Sequence, residues 1–300
     1  MDDKADYLGP IKHILLSTDG SDFSEGAINQ AIYFASSCIA KLSIIHVLEV
    51  NPEFETEGPK YVEAMERAAK EHLDFIRGLA AQKNVECDVI VRRTDEPYKA
   101  IVEEAAKRNS DVIVMGRRGK SALEKIFMGS VTARVIGHTH VNVLVVPRKA
   151  EINCKNILVA TDGSDFSALA VSKAVDISKR CESKLNIVSV VPSEMLMNVE
   201  PDTGYVQQQI DIMLAEAVSM TEDNIKNALA IAEKSGVKAE GAVLWGRPYD
   251  SIVETAKKKS IDLIVVGSHG RTGLNRFLMG SVAERVVGLS HCAVLVVKAK

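Results

Sequence analysis

Residues Met115–Val131 read MGRRGKSALEKIFMGSV, and residues Val266–Val282 read VGSHGRTGLNRFLMGSV. The first stretch contains Gly119-Lys120-Ser121, which looks like the tail of a P-loop. A P-loop also needs a glycine at position 114, and Val114 stands there. The second stretch replaces Lys120 by Arg271, so the ammonium is not kept. Both stretches keep a different pattern, Gly-x2-Gly-x9-Gly-Ser. It is carried by Gly116, Gly119 and Gly129-Ser130, and again by Gly267, Gly270 and Gly280-Ser281.

The repetition extends outward from these motifs. Asp111–Val146 laid on Asp262–Val297 gives 18 identities in 36 positions, and Lys12–Leu48 laid on Lys155–Val191 gives 17 in 37. Identity over two long blocks is duplication. The offset grows from 143 to 151 between the blocks, so the second copy carries extra residues in its middle. Two domains are expected, 1–148 and 149–300, joined by a short polar linker near Arg148–Cys154.

Each copy alternates apolar runs with helical spacing. HILLST, LSIIHVL, ECDVIVRR, DVIVMG and NVLVVP read as five strands. Helices are expected over residues 23–38, opened by a capping box of Asp22 and Glu25, over 60–83, from Pro97 to about Asn109, and from Gly129-Ser130. Alternation of this kind predicts an α/β fold, two tandem Rossmann-like domains with five-stranded parallel sheets. Continuous Ile/Val/Leu runs place helices on both faces.

Bulk properties narrow the function. The 300 residues are 46% hydrophobic and 26% charged, with net charge −3 and a pI near 6.2. That balance argues against a nucleic-acid or membrane surface. No apolar run suits a membrane span. Five cysteines without a C-x-x-C read as reduced thiols in a cytoplasmic protein. Cys38 and Cys181, at matching positions, read as core thiols.

Ligands of such sheets sit beyond the carboxyl ends of the strands. The first strands end in Ser17-Thr18-Asp19 and Ala160-Thr161-Asp162, and the fourth strands end in the glycine motifs. Glycine allows positive φ and close backbone approach to an anion. Gly129-Ser130 and Gly280-Ser281 stand at helix starts, which favour phosphate. The nine residues between must loop out and return over the ligand. Asp19 and Asp162 are placed to hold a ribose hydroxyl or a metal. His269 in the second loop is placed to touch a phosphate. The stretches EVNPEFETEGP and PSEMLMNVEPDTGYVQQQ read as surface loops or as lids beside the pocket. His138 and His140 lack partners that would complete a metal site in both copies.

At these residues the chain resembles the universal stress protein family in its tandem form. The resemblance implies a Rossmann-like domain that binds ATP, with pairing through the last strand and a role in stress. It implies ribose or metal contacts for Asp19 and Asp162 and adenine contacts for Val47 and Val190. Gly116, Gly119, Gly129, Ser130 and their counterparts Gly267, Gly270, Gly280, Ser281 would hold phosphates. Met115 and Val266 would line the pocket, with Ser17, Thr18, Ala160 and Thr161 at the strand ends, Arg118 in the first loop, and Val131 and Val282 after the serines. ATP, ADP or AMP is the expected ligand, with Mg on the phosphates. A slow metal-dependent ATPase or phosphotransfer enzyme and an interaction scaffold with one or both sites degenerate are the competing functions. Arg117-Arg118 and Asp95-Glu96 in the first half stand against Ser268-His269 and Gly246-Arg247 in the second, so unequal sites are expected. Strands 142–146 and 293–297 are expected to pair antiparallel within the chain, a pseudo-dimer that leaves a homodimer open.

Overall fold

The apolar pentapeptides HILLS, VIVMG and NVLVV are almost wholly buried, as strands covered on both faces must be. A computed structural model of the chain describes residues 11–119, 128–192, 204–270 and 279–299, with no side-chain account of 204–207. The strands are β1 (His13–Ser17), β2 (Lys41–Glu49), β3 (Cys87–Thr94), β4 (Val112–Gly116), β5 (Asn142–Val146), β6 (Asn156–Ala160), β7 (Lys184–Pro192), β8 (Ala239–Gly246), β9 (Leu263–Gly267) and β10 (Ala293–Val297). The helices are α1 (Glu25–Cys38), α2 (Pro52–Glu57), α3 (Pro59–Gln82), α4 (Pro97–Lys107), α5 (Ser130–His138), α6 (Asp165–Cys181), α7 (Gly204–Lys234), α8 (Pro248–Lys258) and α9 (Ser281–Leu289).

One sheet joins both halves in the order β3-β2-β1-β4-β5-β10-β9-β6-β7-β8. Neighbours are parallel within each half. The central pair β5–β10 is antiparallel, with Val143 opposite Val296, Leu144 opposite Leu295 and Val145 opposite Val294. The two last strands therefore meet as the sequence predicts. They leave β3 and β8 as the edges. In each half the chain runs outward from β1 or β6 and then returns to start β4 or β9 on the other side. That reversal opens a crevice at the carboxyl ends of the strands. One apolar layer packs α1 and α6 with Leu144 and Leu295, and a second lies on the opposite face with α5 and α9.

Three local expectations are corrected. Asp22 and Glu25 form no capping box. Residues Asp22–Ser24 make a 3-10 turn, and both carboxylates pair with Arg148 at 3.2 and 3.3 Å. EVNPEFETEGP is not only loop, because Asn51 Oδ1 accepts from the Phe54 N–H at 2.7 Å and caps α2. The linker is not merely polar. Ile152 and Cys154 are buried, and the Pro147 carbonyl lies so close to α1 that a Cβ on Gly26 would approach it to 2.4 Å. PSEMLMNVEPDTGYVQQQ lies mostly outside the described residues, although its last residues already belong to α7.

Among the described residues the cysteines are free thiols. Cys154 and Cys292 are buried, while Cys38 and Cys181 are partly buried against the core. Burial pushes the Cys292 thiol up to about 11.

A basic residue just after α4, and another just after α8, pins the outer strands. Arg108 donates to Glu104 at 2.7 Å, Ser43 Oγ at 2.9 Å and Asp88 at 2.8 Å. Lys259 occupies the matching place, donating to Asn186 at 2.6 Å and Glu240 at 3.0 Å. Glu104 is 3% exposed and also accepts from Arg92. Burial alone would raise its pKa, but the Arg92 and Arg108 guanidiniums outweigh this and hold it below the ordinary carboxylate value.

Two outcomes are expected. The Glu104 folded pKa lies below its unfolded one, so its contribution is present above about pH 4.3 and lost as pH falls through the folded value. Glu104→Gln should destabilise the chain at pH 7 by about 3 kcal/mol. Its difference from wild type in urea denaturation should shrink below pH 4. Leu144→Pro removes an N–H from the central strand and should cost about 3 kcal/mol or more in the same assay. Wild-type stability for Leu144→Pro would contradict the seam.

Candidate phosphate-binding crevices

Thr161, Asp162, Gly163 and Ser164 turn the chain from β6 into α6. Gly163 has φ +80°, which glycine adopts without strain. Asp162 Oδ1 accepts from the Ser164 hydroxyl at 2.6 Å and from its N–H at 3.1 Å. Thr161 Oγ1 meets Ser167 Oγ at 3.1 Å. The first half repeats the turn: Asp19 Oδ1 accepts from Ser21 Oγ at 2.7 Å, and Thr18 Oγ1 meets Ser24 Oγ at 2.9 Å. Each strand-end aspartate thus organises its own turn.

The glycine motifs rise beside these turns. None of their glycines has positive φ. Close approach is what excludes a side chain. A Cβ on Gly119 would stand 2.5 Å from Asp19 Oδ2, and one on Gly270 would stand 2.7 Å from Asp162 Oδ2. The expectation of positive φ in the motif is corrected accordingly. The excursion of each loop is tied at its base. Gly129 N–H donates to the Arg117 carbonyl, and Gly280 N–H donates to the Ser268 carbonyl, both at 2.9 Å. The residues between, 120–127 and 271–278, lie outside the described residues. Ser130 and Ser281 are the first helical residues of α5 and α9. The N-cap residues are Gly129 and Gly280, which have no side chain to cap either helix start. Their first-turn N–H groups face outward with the positive end of the helix dipole.

In the second half these pieces surround a cavity of about 470 Å³. Its lining includes Ala160, Thr161, Asp162, Val190, Val266, Gly267, His269, Gly270, Gly280, Ser281 and Val282, all of them named by the sequence. Sequence reasoning missed the opposite wall. Met213, Ala217, Met220 and Asn224 come from α7, Pro248 and Ile252 from α8, and Pro192 from the end of β7. The α7 residues fall where the two copies lose alignment. Pro248, beside Gly246-Arg247, was the one available signal.

His269 is 8% exposed, stacks on Phe166 at 5.0 Å and meets Ser268 Oγ through Nδ1 at 3.0 Å. Its Nε2 is buried with no partner among the described residues. A buried imidazole nitrogen without a partner is costly, and His269 is one of the residues that line the cavity.

The first half brings the same types together: Ser17, Thr18 and Met115 are buried, and Val47 and Val131 pack on the lower core layer. Asp19 lies against Gly119, Gly116 and Gly129 both approach the Arg118 backbone, and Ser130 opens α5. Its far wall differs. Counting back from β3 and β8, His72 stands where the second half has Asn224, and Met65 where it has Ala217. His72 Nε2 lies 3.3 Å from Thr18 Oγ1. Met65 packs with Leu48, Val50, Val62 and Ala69. Arg117 turns away from its own loop and donates to the Ser290 carbonyl of the second half at 2.5 Å. Glu96 is paired with Lys99. His138 Nδ1 meets the Arg134 carbonyl at 2.7 Å. Among the described residues no helix is long and apolar enough to cross a membrane.

If Asp162 organises the turn, Asp162→Ala should lower stability by about 1 kcal/mol through loss of a cap-like acceptor. Thermal denaturation checks this, and an unchanged midpoint would contradict it.

Comparison with known proteins agrees with this geometry. The model of the Universal stress protein family matches residues 10–147 and again 153–298. A universal stress protein of Methanocaldococcus jannaschii is 40% identical over 152 residues, covering 50% of this chain and 86% of that protein. One from Mycobacterium bovis is 26% identical over 304 residues, covering 95% of this chain and 96% of that one. The crystal structure of a universal stress protein from Archaeoglobus fulgidus has a TM-score of 0.72 at 21% identity and covers 98% of both chains, a likeness of fold. With two tandem matches, the chain belongs to the universal stress protein family.

Proposed function

We propose that the second half binds an adenine nucleotide, ATP or its di- or monophosphate, and that the chain acts in the stress response through nucleotide-dependent interactions. The observation that carries this reading is the cavity bounded by Asp162, the glycine-capped start of α9 and the buried His269. The residues fit the ligand in three zones. Val190, Pro192, Ala217 and Ile252 offer an apolar slot for a base. Asp162 stands at the ribose position. Gly267, Gly270 and Ser281 offer backbone N–H groups and a hydroxyl to phosphates, and Gly280, whose N–H closes the loop on the Ser268 carbonyl, leaves room for their approach. Mg would ride on the phosphates, with Asp162 and Glu216 as the carboxylates of the lining.

The first half is the weaker site in this reading. Its loop residue Arg117 is committed to the second half, and His72 and Met65 are larger than Asn224 and Ala217.

Calorimetry with the intact chain tests the assignment. Wild type should bind ATP, and Gly280→Val should lower second-site affinity at least tenfold. A Cβ there already meets His269 Cα at 3.3 Å, before the two methyls of valine are added. The fold should persist by circular dichroism. Equal affinity in a folded Gly280→Val chain would remove the site from this crevice.

A further inference from the structure

Two cations cross the seam between the halves, and both end at the carboxyl end of a helix. Arg117 sits between Gly116 and Gly119 of the first glycine loop. Its backbone closes that loop: its N–H donates to the Val146 carbonyl at 3.3 Å, and its carbonyl accepts from Gly129 N–H at 2.9 Å. Its guanidinium donates to the Ser290 carbonyl, immediately after α9. Lys298 follows β10. The preceding Val297 carbonyl accepts from Ser268 N–H in the second glycine loop at 3.0 Å. Lys298 Nζ donates to the Ile136 carbonyl in the last turn of α5 at 2.8 Å. Its own N–H donates to Asn142 Oδ1 at 3.0 Å.

The two cations are not symmetry mates. Arg117 corresponds to Ser268, and Lys298 corresponds to Pro147. Nonequivalent positions thus reach equivalent helix ends. Both cations bear the cost of burial. Desolvation and the neighbouring Arg118 push the Arg117 pKa down, and desolvation pushes Lys298 down to about 8. Each is offset by a carbonyl at the negative end of a helix dipole. Ser290 is 0% exposed, so its carbonyl depends on protein donors rather than water. Helices of nine residues are too short to hold themselves, and about 13 Å separates their two ends. The far ends are the phosphate cradles.

We propose that Arg117 and Lys298 are cross-half positioning residues: each ties the glycine loop of its own half to the carboxyl end of the other half's last helix, so that the two cradles are coupled. The coupling of nucleotide affinity rests on the nucleotide reading above. The positioning itself does not.

Hydrogen exchange on the full-length chain tests it without ligand. Arg117→Met should accelerate amide exchange across Ser281–Leu289 about tenfold and leave Ser130–His138 within twofold. Lys298→Met should do the reverse. Arg117→Lys should restore much of the protection. Equal acceleration of both helices would mean general destabilisation and overturn the proposal, as would no change in either. Calorimetry with ATP on the same variants then reads the coupling. Arg117→Met should weaken the second site by about fivefold, and unchanged affinity there would overturn the coupling. Absence of ATP binding by wild type would defeat the nucleotide reading, while the exchange data would still decide the positioning.

Discussion

The antiparallel meeting of β5 and β10, with Leu144 opposite Leu295, fixes where everything else lies. Strands buried on both faces have open edges that must be paired or covered. Here two such edges cover each other. The pairing reverses the second half relative to the first, so the top of one half faces the bottom of the other. That reversal places the first glycine loop beside the end of α9 and the residue after β10 beside the end of α5. The crossing contacts of Arg117 and Lys298 follow from strand direction.

Within each half, a second constraint shapes the crevice. A strand-end aspartate spends one oxygen on its own turn and presses the other against the second motif glycine. A Cβ on that glycine would displace the aspartate oxygen, which is tied to its own turn through the other oxygen. The result is a backbone held close to the glycine-capped start of the last helix. Residues that read as a ligand contact in sequence are thus also what builds the site.

The sequence made legible whatever depends on pattern. Duplication, the order of strands and helices, the seam and the second crevice's floor all follow from repeated motifs and continuous apolar runs. What stayed hidden depends on space rather than pattern. Met213, Ala217, Met220 and Asn224 line the cavity from a helix whose register the insertion obscures. Arg117 stood with Arg118 as a mark of unequal halves, but strand reversal gives its guanidinium a carbonyl in the other half. The motif glycines allowed positive φ or close approach, and the structure shows the second: Gly119 and Gly270 lie against Asp19 and Asp162, and Gly116 and Gly267 against the backbone at Phe23 and Phe166. Asp22 and Glu25 matched a capping box, yet Arg148 from the linker claimed both carboxylates.

The proposed nucleotide site is the crevice between β6, β9 and α7. The most direct measurement is native mass spectrometry of the intact chain mixed with ATP, followed by fragmentation to locate the bound mass. The account predicts an adduct of one nucleotide at low concentration, retained on fragments from the second half. Adducts distributed equally over both halves, or none at any concentration below a millimolar excess, would contradict it.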